Sequence, residues 1–349
     1  MKRIHAPILL VVFFVMSIPG DVLAQEWRTV LNLKGRWKFM LGDDRKWADP
    51  KFHDSGWDEI RVPGTWEDQG YPGYDGYAWY RQRFTLDKDL RDVQLYLRVG
   101  YVDDASEVYL NGHLVGFEGQ FPPEFITAYN IARAYLVPQQ YLNYGGDNLI
   151  AVRVYDQRLG GGITGGSVGL YELRDPLEPD YNLAGVWKFR IGDNSSWASP
   201  ETRDDQWEKL IVPGFWETQG RRNYDGFAWY RVKFEVPRSL EGKDLVLLLG
   251  RIDDFDETYL NGKLLGRTGR IRKSWRPDDK GDDYSRLRAY VIPSGLIVPG
   301  QVNILAVRVL DVYMHGGIYD GPIGLVTRGK FRRWERENED RWNLFDWFR

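Results

Sequence analysis

Aromatic and acidic residues recur together beside turns in this sequence, and they are the residues best suited to binding a ligand. A sugar ring can lie on the face of a Trp or Tyr side chain, while its hydroxyls hydrogen bond to carboxylate, amide or guanidinium groups. This mixture therefore predicts a carbohydrate site. The candidates in the first half are Trp66, Glu67, Tyr74, Asp75, Asp156 and Arg158, and those in the second half are Trp216, Glu217, Tyr224, Asp225, Asp311 and His315.

Core packing is the alternative role for the aromatic residues. Trp79 and Trp229 lie inside aromatic runs of strand length, which favours burial. Tyr74 and Tyr224 lie beside turns, so burial and ligand contact both stay open for them.

Recurring carboxylates offer a second chemistry, because two of them at a suitable separation can hydrolyse a glycosidic bond. Asp103 and Asp104 are interpreted as turn formers, and Glu107 or Asp104 as the partner of Arg153 across a sheet. Chain spacing does not set distances in space, so glycoside hydrolysis stays open as an alternative. The recurring pairs are Glu67/Glu217, Asp75/Asp225, Asp103/Asp253, Asp104/Asp254, Glu107/Glu257 and Asp156/Asp311.

Three other signals carry less weight. Residues 165–169 match G-x-S-x-G and residues 160–165 match G-x-G-x-x-G, but neither run leads into a predicted helix. The four histidines lack zinc-binding spacing. We therefore expect no cofactor, with a structural calcium ion as the one exception, its candidate ligands being Asp278, Asp279, Asp282 and Asp283.

An internal repeat positions these candidates. The hairpin at residues 102–112 returns at 252–262, and the copies then diverge between residues 121–133 and 271–288. Two copies of one domain follow. Five tryptophans recur at the same spacing: Trp37/Trp187, Trp47/Trp197, Trp57/Trp207, Trp66/Trp216 and Trp79/Trp229.

The hairpin predicts both a turn and a core face. Asn-Gly favours a type I′ turn, which needs positive φ at both central residues. A two-residue turn sets Tyr109 opposite Leu114 and Val108 opposite Val115, and we assign Tyr109 and Leu114 to the core. The corresponding pairs in the second copy are Tyr259/Leu264, assigned to the core, and Thr258/Leu265.

Many short apolar runs separated by turn residues predict an all-β fold of two tandem antiparallel β-sandwich or jelly-roll domains. Alternation predicts that Ile150, Val152 and Val154 point to one side and Ala151 and Arg153 to the other. Residues 245–249 are continuously apolar, which favours burial on both faces.

The domain order follows from composition along the chain. Residues 1–24 read as a signal peptide, with basic residues, a short apolar run and a small residue at the expected cleavage point. The first domain spans 25–172, the linker 173–181, the second domain 182–328 and a Trp-rich tail 329–349. The tail has helical spacing, and we expect it to pack on the second domain, with docking of a partner subunit as the alternative.

Charge and cysteine content limit the partners and the compartment. Among 349 residues, 47 Lys and Arg oppose 50 Asp and Glu without a long basic block, so a nucleic-acid partner is not expected. The chain has no cysteine. An exported chain without disulfides is expected to be secreted or periplasmic, with no membrane span after signal cleavage.

The repeated motifs resemble the sugar-binding jelly-roll domain of family 2 glycoside hydrolases, which is galactose-binding-like in fold. The resemblance rests on residues 66–71, 79–84, 108–116 and 148–154. Copy two also resembles the jelly-roll domain attached to sialate O-acetylesterases, through residues 252–254, 259–262 and 316–318. Together the two matches cover nearly all of residues 28–326.

The resemblance implies carbohydrate association without a catalytic domain, since two jelly rolls leave no room for a barrel of about 250 residues. We therefore expect an exported, non-catalytic carbohydrate-binding protein whose two sites add avidity. The alternatives are a glycoside hydrolase with carboxylates between the copies, an accessory subunit of a separate glycosidase, and a structural module whose tail docks another enzyme.

Overall fold

Four antiparallel sheets form two sandwich-like units, which confirms the predicted all-β fold class. The computed structural model describes residues 26–346 except 92, 175–176, 270–281 and 299, with side chains described as far as residue 338 in the last helix. The predicted signal peptide lies outside these residues. No helix within them has the length and apolarity needed to cross a membrane.

Ten strands build the first unit: β1 (Glu26–Asn32), β2 (Gly35–Leu41), β3 (Asp58–Val62), β4 (Gly76–Thr85), β5 (Leu95–Asp103), β6 (Ala105–Leu110), β7 (His113–Glu118), β8 (Ala132–Val137), β9 (Asp147–Asp156) and β10 (Gly162–Arg174). One sheet has the order β3-β2-β4-β9-β6-β7, and the other has the order β1-β10-β5-β8.

The second unit repeats this topology, with sheet orders β13-β12-β14-β19-β16-β17 and β11-β20-β15-β18. Its strands are β11 (Tyr181–Asn182), β12 (Gly185–Ile191), β13 (Glu208–Val212), β14 (Gly226–Glu235), β15 (Leu245–Asp253), β16 (Phe255–Leu260), β17 (Lys263–Thr268), β18 (Arg288–Val291), β19 (Val302–Asp311) and β20 (Gly317–Thr327). Helix α1 (Arg328–Asp346) follows β20 directly.

The core of each unit lies between its two sheets. Ile150, Val152 and Val154 point into this core, while Ala151 and Arg153 lie on the outer face of the same strand, as alternation predicts. Glu107 is the cross-strand partner of Arg153, since its Oε2 lies 3.2 Å from Arg153 Nη1.

Trp79 and Trp229 anchor a smaller cluster on the outer face of each six-stranded sheet, and both are fully buried as expected. Trp79 stacks on Tyr109 with ring centroids 5.7 Å apart, and Trp229 stacks on Tyr259 at the same distance. The matching geometry shows that the repeat preserves packing as well as topology.

The hairpin has the predicted turn, but its core face was wrongly assigned. Asn111 and Gly112 have φ of 49° and 83°, and Tyr109 faces Leu114. Beyond that pair a bulge sets Val108 opposite Gly116 instead of Val115. In the second hairpin the same irregularity sets Thr258 opposite Gly266.

Val108, Leu110 and Val115 point into the inter-sheet core, whereas Leu114 is 37% exposed and its counterpart Leu264 is 44% exposed. Tyr109 is buried, but in the outer cluster. Polar His113 suggested that its face was the solvent face. It actually lies at the turn end of the core face, where its ring stacks on Tyr141 at 4.2 Å.

Helix α1 covers the outer face of the four-stranded sheet in the second unit. Phe331 and Trp334 pack against a cluster that contains Val246, Leu248 and Val326. This cover explains why the run at residues 245–249 is buried on both faces. The tryptophan and phenylalanines of the tail beyond residue 338 lie outside the described side chains.

Candidate functional site

One end of each sandwich gathers most of the candidate residues. In the first unit, the register sets Gly76 opposite Asp156 and Gly162 opposite Asp103. Asp75, which precedes Gly76, therefore lies at the same end as the two aspartates that close β5 and β9. We call this the acidic end of the unit.

A carboxylate clamp closes two loops at the acidic end. Both Glu67 carboxylate oxygens accept a hydrogen bond from the Gly161 N–H, at 3.2 and 3.1 Å. Glu217 does the same for Gly316, at 3.1 Å to each oxygen. Burial raises the pKa of Glu217 to about 7, although the hydrogen bonds from the Gly316 N–H act to lower it. These two candidates therefore hold loops in place.

The glycine in the clamp is required by close packing. A Cβ atom at Gly161 would lie 1.9 Å from the Trp66 ring, and one at Gly316 would lie 2.0 Å from the Trp216 ring. Any side chain at these positions would push the loop away from the tryptophan and break the clamp.

Trp66 and Trp216 are fully buried, so neither ring presents a face to solvent. Each ring contacts the tyrosine on the following loop, with the Trp66 and Tyr74 centroids 5.8 Å apart. Tyr74 Oη donates to the Tyr77 carbonyl oxygen at 2.8 Å, and Tyr224 makes the equivalent bond. The tyrosines are half-buried supports of the loop.

The remaining candidates differ in exposure. Asp75, Arg158, Asp225 and His315 are exposed and accessible to a ligand. Asp156 and Asp311 are buried, so a sugar cannot reach them directly.

Three aspartates in each unit form a compact group. From the sequence, Asp103 and Asp104 were interpreted as turn formers, and Asp156 and Asp311 as candidate sugar ligands. Asp103, Asp104 and Asp156 each offer an oxygen atom, and these three oxygens lie within 4.8 Å of one another. Asp253, Asp254 and Asp311 form the same group in the second unit. The signal in the sequence was the recurrence of all three positions.

Burial and nearby negative charges disfavour ionisation of Asp156 and Asp311. Burial, followed by the nearby charges of Asp104, Asp75 and Glu67, raises the pKa of Asp156 to about 6. Burial, with the charges of neighbouring aspartates, likewise raises the pKa of Asp311 to about 7.

An aromatic group of half-buried and exposed side chains lies at the acidic end of the second unit. Phe215 stacks on Tyr319 with centroids 4.8 Å apart and planes at 5°, and His315 lies 5.2 Å from the Phe215 ring. Tyr313 and Met314 are 60% and 62% exposed. In the repeat, the first unit has Thr65, Thr164, Gly160, Arg158 and Leu159 at these positions.

The first unit carries a different aromatic group in its divergent segment. Phe121 stacks on Tyr77 at 5.8 Å, and the Arg153 guanidinium lies 4.1 Å from the Phe121 centroid. Phe125 contacts Tyr155 edge-on. These residues are half-buried and pack on one another. The corresponding segment of the second unit includes residues 270–281, which the structure does not describe.

A cleft of about 650 Å³ lies between the two units. Three of its carboxylates are in ion pairs: Glu172 with Arg28, Asp180 with Lys330, and Asp320 with Arg251. Asp75 and Asp225, the carboxylates considered for hydrolysis, do not line it. Asp75 and Asp225 therefore do not meet in the cleft between the two units.

Comparison with known proteins supports the family resemblance for the first unit. Residues 42–159 match the model of the β-galactosidase second all-beta domain. The first unit is related to an all-β domain of β-galactosidases. The resemblance of copy two to sialate O-acetylesterases stays a prediction.

Similar proteins with curated descriptions are glycosidases. A β-glucuronidase of Formosa agariphila is 28% identical over 152 residues, which are 40% of this chain and 14% of that protein. A β-galactosidase of Photobacterium profundum is 31% identical over 150 residues, 35% of this chain and 13% of that protein. The chain thus spans less than a fifth of the length of these relatives.

Among solved structures, β-glucuronidase from Bacteroides uniformis aligns with a TM-score of 0.37 and 19% identity, covering 82% of this chain and 28% of that one.

Proposed function

We propose that this protein binds carbohydrate without catalysis, and that the acidic end of the second unit is its binding surface. The observation that carries the proposal is an aromatic group at the end of the unit where exposed Asp225 lies. Half-buried Phe215 stacks on Tyr319, and the exposed side chains of His315 and Tyr313 lie on the loop between β19 and β20. Apolar ring faces next to a charged hydrogen-bond acceptor are the combination that a sugar requires.

Backbone geometry supports a role for this loop in binding. Met314 has φ of 76° although it is not glycine, and its apolar side chain is 62% exposed. A bulky residue in the left-handed region is unfavourable, and such positions concentrate at ligand sites. The equivalent Leu159 has φ of 75°, so the strained position is common to both units. The hydrogen bond of Gly316 to Glu217 holds the loop from its other end.

The relatives support the ligand class. The β-glucuronidases and β-galactosidases that the chain matches act on glycosides, as their names state, and the matched model describes an all-β domain. Binding by such a domain needs no catalytic group.

Affinity electrophoresis of the full chain through plant and bacterial polysaccharides tests the proposal. At least one polysaccharide should retard the wild-type protein, and Phe215→Ala or His315→Ala should weaken this retardation up to about tenfold, the loss expected for one ring contact. Thr65→Ala, at the equivalent position of the first unit, is the matched control and should migrate as the wild type does.

Two results would count against the proposal. Unchanged migration of the wild type in every polysaccharide would refute carbohydrate binding, and full retardation of both ring variants would refute the assigned surface. Release of a chromogenic aglycone by the full chain, lost in Asp225→Asn or Asp75→Asn, would instead favour the hydrolase alternative.

We also propose that the chain is exported to the periplasm or the exterior after cleavage near residue 24. The support is the sequence pattern of residues 1–24. Mass spectrometry of protein from the producing cells should give a mature N-terminus at Gln25; recovery of an intact N-terminus would contradict the proposal.

A further inference from the structure

The aspartate group at each acidic end includes a buried carboxylate with an oxygen that lacks a partner. Asp156 is fully buried; its Oδ1 accepts a hydrogen bond from Arg158 N–H at 3.2 Å, while its Oδ2 has no hydrogen-bond partner among the described residues. Asp311 repeats this: Oδ1 accepts from Tyr313 N–H at 3.0 Å, and Oδ2 has no described partner. An unpartnered buried carboxylate oxygen is costly, so its occurrence in both units points to a ligand.

No basic side chain is hydrogen bonded to the aspartate carboxylates of the first unit among the described residues. Buried Arg133 lies nearby, but its guanidinium donates to Ser106 Oγ and to the carbonyl oxygens of Ala128, Ile131 and Asp104. Across the described residues, no ion pair involves the carboxylates of Asp103, Asp104 or Asp156. Three neighbouring acids, of which Asp104 and Asp156 are buried, therefore have no basic side chain bonded to their carboxylates.

The neighbours of Asp104 orient its carboxylate within this group. Its Oδ2 accepts a hydrogen bond from Gln157 N–H at 3.0 Å, and its Oδ1 is bonded to Thr127 Oγ1. Asp254 is held in the same way, accepting from Val312 N–H at 3.1 Å. In the first unit, these bonds join the start of β6 to the loop that follows β9. In the second unit, the equivalent bond joins the start of β16 to the loop that follows β19.

The spacing of the oxygens fits a calcium ion. Calcium binds oxygen ligands at about 2.4 Å, so two ligands on opposite sides of the ion are about 4.8 Å apart. All three oxygens in each group fall within this span. Calcium accepts an irregular set of oxygen ligands, whereas magnesium requires near-octahedral geometry, so we take calcium as the ion for this group of three carboxylates.

We propose that each unit binds one calcium ion through its aspartate triad, Asp103, Asp104 and Asp156 in the first unit and Asp253, Asp254 and Asp311 in the second. The ion supplies the missing partner of the buried oxygen and joins the ends of β5, β6 and β9, or of β15, β16 and β19. This differs from the calcium site considered from sequence, whose Asp278 and Asp279 lie outside the described residues.

Calorimetric titration of the chelator-treated full chain with calcium chloride tests the proposal, with no glycan present, so its outcome is separate from that of carbohydrate binding. We expect two ions per chain in the wild type, one in Asp156→Asn or Asp311→Asn, and none in the double variant. Asp89→Asn, which removes an exposed carboxylate of the first unit, is the control and should keep two.

Thermal unfolding provides a second measurement that does not depend on heats of binding. Calcium should raise the Tm of the wild type and leave that of the double variant unchanged. If the double variant fails to fold, Asp103→Asn with Asp253→Asn replaces it, because these positions are less buried. Absence of calcium binding in the wild type, or two ions still bound by a folded double variant, would overturn the proposal.

Discussion

Asn111 offers the most direct test of how the repeated hairpin is stabilised. Its φ of 49° places it in the left-handed region. Its Nδ2 donates to the Tyr141 carbonyl at 2.7 Å and to Asn148 Oδ1 at 2.9 Å, and its Oδ1 accepts from Leu149 N–H at 2.8 Å. The side chain thus connects the turn to β9 and to the loop before it.

The expected cost follows from these contacts. Each hydrogen bond contributes about 1 kcal/mol, and a left-handed residue with a Cβ atom costs about 1 kcal/mol more than glycine. Asn111→Ala should therefore lower the free energy of unfolding by about 3 kcal/mol, because the three hydrogen bonds are lost and the Cβ atom stays in the left-handed region. Asn111→Gly should lower it by about 2 kcal/mol, because glycine adopts this φ without strain and regains about 1 kcal/mol.

Urea unfolding of the full chain, followed by tryptophan fluorescence, measures the loss, and peptide hydrogen exchange assigns it to a unit. Asn261 makes the equivalent bonds to Leu296, Asn303 and Ile304 at 2.8 Å each. Its alanine and glycine variants should reproduce the effect within residues 245–311. Equal losses for alanine and glycine, or an alanine loss below about 1 kcal/mol, would refute the reasoning.

Two further predictions concern the second unit. Burial opposes ionisation of Asp204, but the hydrogen bond from Arg231 at 3.0 Å and the nearby positive charges outweigh it and lower the pKa. A carboxylate whose pKa is lowered in the folded state stabilises the fold at pH values above its unfolded-state pKa. Asp204→Asn should therefore lower the free energy of unfolding by about 3 kcal/mol at pH 7, and the gap between wild type and variant should shrink below about pH 4 in urea titrations. A gap that does not change with pH would contradict this prediction. Trp334→Ala should lower the free energy of unfolding by about 2 kcal/mol and speed hydrogen exchange in residues 328–338, because it removes an apolar contact of α1 with the sheet. Arg333→Ala, at an exposed position, is the control and should change neither quantity. Equal effects of the two variants would show that α1 is not held by its apolar face.

Much of the architecture could be read from local patterns. The Asn-Gly turn, the alternation in residues 150–154 and the spacing of the tryptophans each depend on residues close in the chain, and the structure has all three. The hairpin face was misjudged because both of its faces are largely apolar. One packs between the sheets and the other lies under Trp79, and local pattern does not distinguish these two kinds of burial.

The site was harder to predict, because its residues come from distant parts of the chain. Asp103 and Asp156 lie on strands that β10 and β4 bring to one end of the sandwich, and no local motif joins them. Trp66 and Phe215 show a second limit of reading the site from the sequence. Tryptophan was a candidate sugar platform, yet its ring lies in the core. In the second unit the half-buried Phe215, beside Trp216, stacks on Tyr319 outside that core.

The sequence by itself determined that two copies of one β-domain exist and where each hairpin turns, because repetition and backbone preference are local properties of the chain. Only the tertiary structure decided which aromatic rings are buried and which carboxylates meet. Those outcomes depend on strand pairing across more than 50 residues, from Asp103 to Asp156, and on the packing of one sheet against another.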